Sequence, residues 1–160
     1  MLNRLLLLGL IIFQFSCAKS KQEEADKVVA NDLPAMQIQL TDGKTVDAKK
    51  LEGKTILVLF QPDCDHCQRE AEQIRENLNA FRDYKLYFVS SAAKPEIEKF
   101  AKDYGLSEEE NISFGSTTVQ SVLDNFGPIQ APSMYIYSEN GTLVQALNGE
   151  VDISVILKYL

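Results

Sequence analysis

Cys64 and Cys67 are separated by Asp65 and His66. Two thiols at that spacing can close into a small disulfide and reopen, passing an electron pair to or from a second disulfide. The spacing alone is a moderate signal, and placement makes it a strong one. The run Ile56-Leu57-Val58-Leu59-Phe60 comes just before the pair, and from Cys67 the residues Ala71, Ile74, Leu78 and Phe81 step by four and three. The first pattern predicts a strand buried on both faces, the second one stripe of an amphipathic helix. The pair therefore sits where a core strand turns into a helix. Unpaired backbone N–H groups and the helix dipole stabilise an anion there, and the thiolate is the nucleophile. Cys64 is expected to be the exposed, attacking sulfur. Cys67, one turn inward, is expected to attack the mixed disulfide and release the product.

His66 is the only histidine. An imidazolium beside Cys64 stabilises its thiolate and favours the dithiol, the behaviour of an oxidant. Asp63 and Asp65 act the other way, because negative neighbours disfavour a thiolate. The sequence does not fix the net sign, and His66 also reads as an ordinary exposed helix residue.

The elements around the pair follow from period and turn chemistry. Met36, Ile38 and Leu40 alternate with Gln37 and Gln39, and Asp42-Gly43 leads to Lys44-Thr45-Val46, predicting a half-buried hairpin. A second buried strand is predicted over 85–91, then a helix opened by Pro95 and closed by Gly105, with an acidic loop over 107–111. Val119, Val122, Leu123 and Phe126 mark a short helix. A strand over 133–138, the turn Asn140-Gly141 and a returning strand over 142–147 follow, and Asp152 can cap a last helix. The order is hairpin, β, α, β, α, short helix, β, β, α. A right-handed β-α-β crossover with a closing hairpin predicts an α/β fold with a mixed sheet and helices on both faces.

The N-terminus reads differently. Arg4 precedes a largely apolar run over 5–15, roughly eleven residues, which suits a signal peptide and is short of the about 20 needed to span a bilayer. Cys17 follows directly and resembles the lipidated cysteine of a bacterial lipoprotein, with Gln14 and Phe15 departing from the usual residues. An ordinary cleaved signal or an uncleaved anchor are the alternatives. The expected division is a signal peptide over 1–16, a lipidated cysteine and polar tether over 17–34, and a folded domain over 35–160. With Cys17 lipidated, two of the three cysteines remain for chemistry, too few for a disulfide scaffold. A chain of 160 residues supports one domain, and a formal charge of -7 argues against binding to phosphate backbones.

The segment from about 34 to 160 resembles the thioredoxin superfamily, and within it the TlpA-like, AhpC-TSA-like membrane-anchored thiol–disulfide oxidoreductases. The resemblance rests on Leu57-Val58-Leu59-Phe60 leading to Cys64-Asp65-His66-Cys67, on Ala131-Pro132-Ser133 before a strand, and on Asn140-Gly141-Thr142-Leu143-Val144. It implies a thioredoxin-like fold carrying the N-terminal β-hairpin as an extension. It implies that Pro132 is cis and faces the cysteines, with the Ala131 backbone pairing to a substrate strand. It also implies that Glu70 handles the proton of Cys67, as a partly buried carboxylate can; a solvated helix charge is the alternative. Asp63 stands where the family has Trp, and Glu72 where it has a helix-kinking Pro.

The resemblance implies a reductase of protein disulfides outside the cytoplasm, on the periplasmic side or the outer membrane. A membrane electron donor would recharge it, and no cofactor beyond the dithiol is expected. Nucleic acid is not an expected partner. Two rival chemistries use the same cysteines. Two thiolates suit Cu(I), although copper-carrying relatives on this fold space them further apart and add a distant His. A thiol peroxidase would use Cys67, with Cys64 standing where Thr is expected.

Overall fold

The computed structural model describes residues 31–160. Its centre is a seven-stranded mixed sheet. The strands are β1 (Gln37–Leu40), β2 (Thr45–Asp47), β3 (Thr55–Leu59), β4 (Lys85–Ser90), β5 (Ile112–Ser116), β6 (Ser133–Tyr137) and β7 (Leu143–Asn148). Their order across the sheet is β2-β1-β5-β4-β3-β6-β7. β3, β4 and β5 run parallel, and the other pairs are antiparallel. The helices are α1 (Asp65–Glu76), α2 (Leu78–Phe81), α3 (Lys94–Asp103), α4 (Val119–Phe126) and α5 (Ile153–Ile156).

Strand pleating divides the core in two. Ile56, Val58 and Phe60 point to the face covered by Cys67, Ala71 and Ile74 of α1, by α3 and by α5. Leu57 and Leu59 point to the opposite face, with Tyr135, Tyr137 and the Val122 and Phe126 side of α4. Every residue of β3 is buried, which accounts for its unbroken apolar run.

Three findings differ from the sequence reading. β5 was not among the predicted elements, because Gly115 and two serines dilute its apolar pattern. It lies between β4 and β1 and joins the N-terminal hairpin to the rest of the sheet. Gly115 is required there: a Cβ on it would come within 2.7 Å of the Ile38 side chain and 2.8 Å of the Gln39 carbonyl oxygen. The stripe from Cys67 to Phe81 is two helices rather than one. Asn77 leaves helical geometry at φ -121°, ψ 26°, and its side chain donates to the Gln73 carbonyl at 2.8 Å, turning the chain into α2. The folded unit also begins before residue 35. Leu33 is buried, and the Asp32 N–H donates to the Gly141 carbonyl at 2.8 Å, so 31–34 lie against the β6–β7 turn. The remainder of the expected tether, the signal segment and Cys17 lie outside the described residues. Among those residues no helix is long and apolar enough to cross a membrane.

Candidate active site

β3 delivers the chain to the C-terminal edge of the parallel strands, and residues 61–64 turn it into α1. This turn is held at both ends. Gln61 accepts from Ser90 Oγ at 3.1 Å and donates to Ser91 Oγ at 2.9 Å, while Gln68 Nε2 donates to the Pro62 carbonyl at 3.0 Å. Cys64 is the N-cap of α1, and its Sγ accepts the Cys67 N–H at 3.4 Å. The helix thus directs one of its free N–H groups at the sulfur that is to carry negative charge.

The two cysteines are free thiols in unlike surroundings. Cys64 is half-buried and its Sγ donates to the Ala131 carbonyl at 3.6 Å. Cys67 is 2% exposed, within the core. Burial, reinforced by the neighbouring Cys64, pushes its thiol far above the ordinary range. The Ala131–Pro132 peptide bond is cis, and the Ala131 carbonyl lies against the sulfur of Cys64.

Glu70 lies one turn beyond Cys67 on the same inner stripe. It is 2% exposed, and its Oε1 has no hydrogen-bond partner among the described residues. Burial first, and the negative charge of Glu150 second, push its carboxyl up to about 8. A carboxyl at that value gives up and takes back a proton near neutral pH. Glu70 also contributes to raising the thiol of Cys67, so the two titrating groups feel each other.

The outer side of the same turn is a charge cluster. Arg69 grips Glu150 with two nitrogens, Nε at 2.8 Å and a terminal nitrogen at 2.6 Å. His66 Nδ1 lies 2.5 Å from the carboxylate oxygen that the terminal Arg69 nitrogen also meets, and that nitrogen is itself 2.7 Å from Nδ1. These pairings, Arg69 first and His66 second, hold the Glu150 carboxyl down to about 2. Asp65 is exposed in the first turn.

The structure therefore brings Cys64, Cys67, Glu70, Ala131 and Pro132 to one end of the sheet, with Asp65 and His66 at the rim. The sequence reading missed Arg69 and Glu150, which are 81 positions apart in the chain and share no pattern. The only local hint is Gly149, which ends β7 next to the site.

The AhpC/TSA family model matches residues 29–146, which contain the cysteine pair and the cis-proline segment. The chain belongs to the AhpC/TSA family. This member is 23% identical over 134 residues to the thiol-disulfide oxidoreductase ResA of Bacillus subtilis, covering 81% of this chain and 73% of that one. Its fold matches that of MTB dsbF with a TM-score of 0.67 at 20% identity, over 82% of this chain and 96% of the other. It also matches ScoI of Arabidopsis thaliana, solved with copper bound, with a TM-score of 0.63 at 16% identity, over 79% and 93% of the two chains. The AhpC/TSA protein described here is a thioredoxin-like oxidoreductase of the thiol–disulfide kind, and it carries Cys64 and Cys67 as a neighbouring pair.

Proposed function

We propose that the protein reduces disulfides in protein substrates outside the cytoplasm, held to a membrane by a lipid on Cys17 and recharged by a membrane electron donor. The observation that carries this reading is the asymmetry of the pair. Cys64 is half-exposed at a helix N-terminus, while Cys67 is buried with Glu70 behind it. Cys64 as thiolate attacks a substrate disulfide and displaces one substrate thiolate. Cys67 then gives its proton to Glu70 and attacks Cys64, releasing the second substrate sulfur. Two electrons pass from the dithiol to the substrate, and the proton leaves through Glu70.

A substrate strand has a place to lie. Beside Ala131 runs a groove of about 380 Å³ whose lining includes Leu59, Val119, Leu123 and Ile129. Val119 is 58% exposed and Leu123 43%, so α4 offers the groove an open apolar rim. An extended segment pairing with the Ala131 backbone would set its neighbouring side chain there.

Peroxide reduction through Cys67 would need an accessible thiolate, and this thiol is buried and pushed upward. Cu(I) binding would use the same two sulfurs, while the chain's one histidine has its Nδ1 against Glu150. Exchange uses each residue as it stands.

Redox titration of the full chain in detergent, read by thiol trapping with Cys64→Ser as control, tests the direction. A two-electron transition at about -270 mV or below is expected for a reductase. A transition near about -120 mV would make the protein an oxidant.

A further inference from the structure

We infer that Glu150, on the loop between β7 and α5, is a positioning residue that sets the thiol–disulfide equilibrium of Cys64 by holding Arg69 and His66 in one charge-balanced clamp. The inference rests on the exchange reading above.

Its first support is that the loop carrying Glu150 is fixed before the side chain engages. The Gly149 N–H donates to the Pro132 carbonyl at 2.8 Å. The Ile153 N–H donates to Gln73 Oε1 on α1 at 2.7 Å. Just before the loop, Asn148 Oδ1 accepts from Ser133 Oγ at 3.3 Å. The loop is therefore tied to the cis-proline segment and to α1, the two segments that enclose Cys64.

The second support is the geometry of the carboxylate. Both oxygens are used, and Arg69 meets them in the bidentate form that fixes orientation as well as distance. Glu150 is the most enclosed of the three, with its side chain 23% exposed against 50% for Arg69 and 62% for His66. It anchors, and they are the anchored groups.

The third support is electrostatic reach. Arg69 responds to charge on Cys64, and Glu150 contributes to holding the Glu70 carboxyl up. One carboxylate thus bears on both halves of the exchange.

The chemical consequence follows from balance. A Cys64 thiolate and a Cys67 thiol react with a substrate disulfide to give the internal disulfide, one substrate thiolate and one substrate thiol. The reduced protein carries a negative charge at Cys64 that the oxidised protein lacks. A more positive surround therefore favours the dithiol, and a more negative one the disulfide. Glu150 offsets the Arg69 cation near Cys64 and moves the pair toward the disulfide, the poise of a reductant.

The test is the equilibrium constant of the full chain with dithiothreitol and glutathione buffers, with the melting temperature followed alongside. Glu150→Gln is expected to shift the equilibrium toward the dithiol about three- to fivefold, the scale of a solvent-screened pair. Alkylation of Cys64 by iodoacetamide at fixed pH should quicken by a similar factor. Raising salt to about 1 M, where the screening length is about 3 Å, should erase both differences. Arg69→Gln should move the equilibrium the opposite way. Opposite signs in the two variants are the signature of charge, since a purely structural clamp would loosen alike in both. Equal constants for wild type and Glu150→Gln, or shifts of the same sign in the two variants, overturn the inference. If Glu150→Gln does not fold, Arg69→Gln decides alone: a shift toward the disulfide supports the clamp and no shift overturns it. A wild type that forms no reversible Cys64–Cys67 disulfide overturns the exchange reading itself, and the clamp with it.

Discussion

Glu70 and Glu150 flank the first turns of α1 from opposite sides. Glu70 faces the core, has an oxygen without a partner, and titrates near 8. Glu150 faces water from the neighbouring loop, is gripped by Arg69 and His66, and titrates near 2. Two identical side chains are thus set about six units apart by burial on one side and pairing on the other. The dry side suits proton transfer at Cys67. The wet side leaves a fixed charge whose effect on Cys64 is constant across the working pH. The helix separates a group that moves a proton from one that holds a field.

The largest effect expected is at the sulfur between the two sides. Cys64→Ser should abolish turnover of a disulfide substrate, by at least about a thousandfold, because the thiol that remains, Cys67, is buried and pushed upward and cannot reach a substrate disulfide. Insulin reduction coupled to dithiothreitol measures it.

Next is the dry side. Glu70→Gln keeps the shape and removes the proton acceptor, so release of substrate by Cys67 should slow by about a hundredfold. Stopped-flow decay of a preformed mixed disulfide at Cys64 gives this rate. In wild type it should rise with pH through a midpoint near 8, and in the variant that midpoint should vanish.

The same substitution should stabilise the fold. The carboxyl titrates near 8 when folded against an ordinary 4.5, so the folded state holds an extra proton between these values. Stability must then fall as pH rises from about 4.5 to about 8 and level off above. Glu70→Gln should remove that slope, gaining roughly 2–5 kcal/mol at pH 8 and nothing at pH 4. Urea unfolding at both pH values checks this.

The wet side should answer least. Arg69→Gln is expected to lower the melting temperature by less than about 2 °C, since exposed pairs add little to stability. A larger drop would mean that the outer cluster supports the fold as well as the poise, and would blur the contrast between the faces.

Much of this site was legible in the sequence. A β-branched and aromatic run into C-x-x-C, with a four-and-three stripe behind it, places both cysteines correctly, because strand and helix periods are local properties. The closing hairpin was legible for the same reason, from Asn140-Gly141. Glu70 was ambiguous, since the helix carries several charges and only tertiary packing decides which one is buried. β5 was hidden because its register depends on Gly115 fitting against Ile38 and Gln39, which lie about 75 positions earlier. His66 was read as an imidazolium beside Cys64 or as an ordinary exposed helix residue. Its partner Glu150 is 84 positions away, and no pattern in either segment announces the other.

The most direct test of the account is to trap the first half of the exchange. Full-length Cys67→Ser, mixed with a peptide disulfide and analysed by mass spectrometry, should hold a stable mixed disulfide on Cys64. Cys64→Ser, treated alike, should leave Cys67 unmodified, because that thiol is buried and pushed upward. An adduct forming on Cys67 at a similar rate, or none on Cys64, would contradict the assignment of an exposed attacker and a buried resolver.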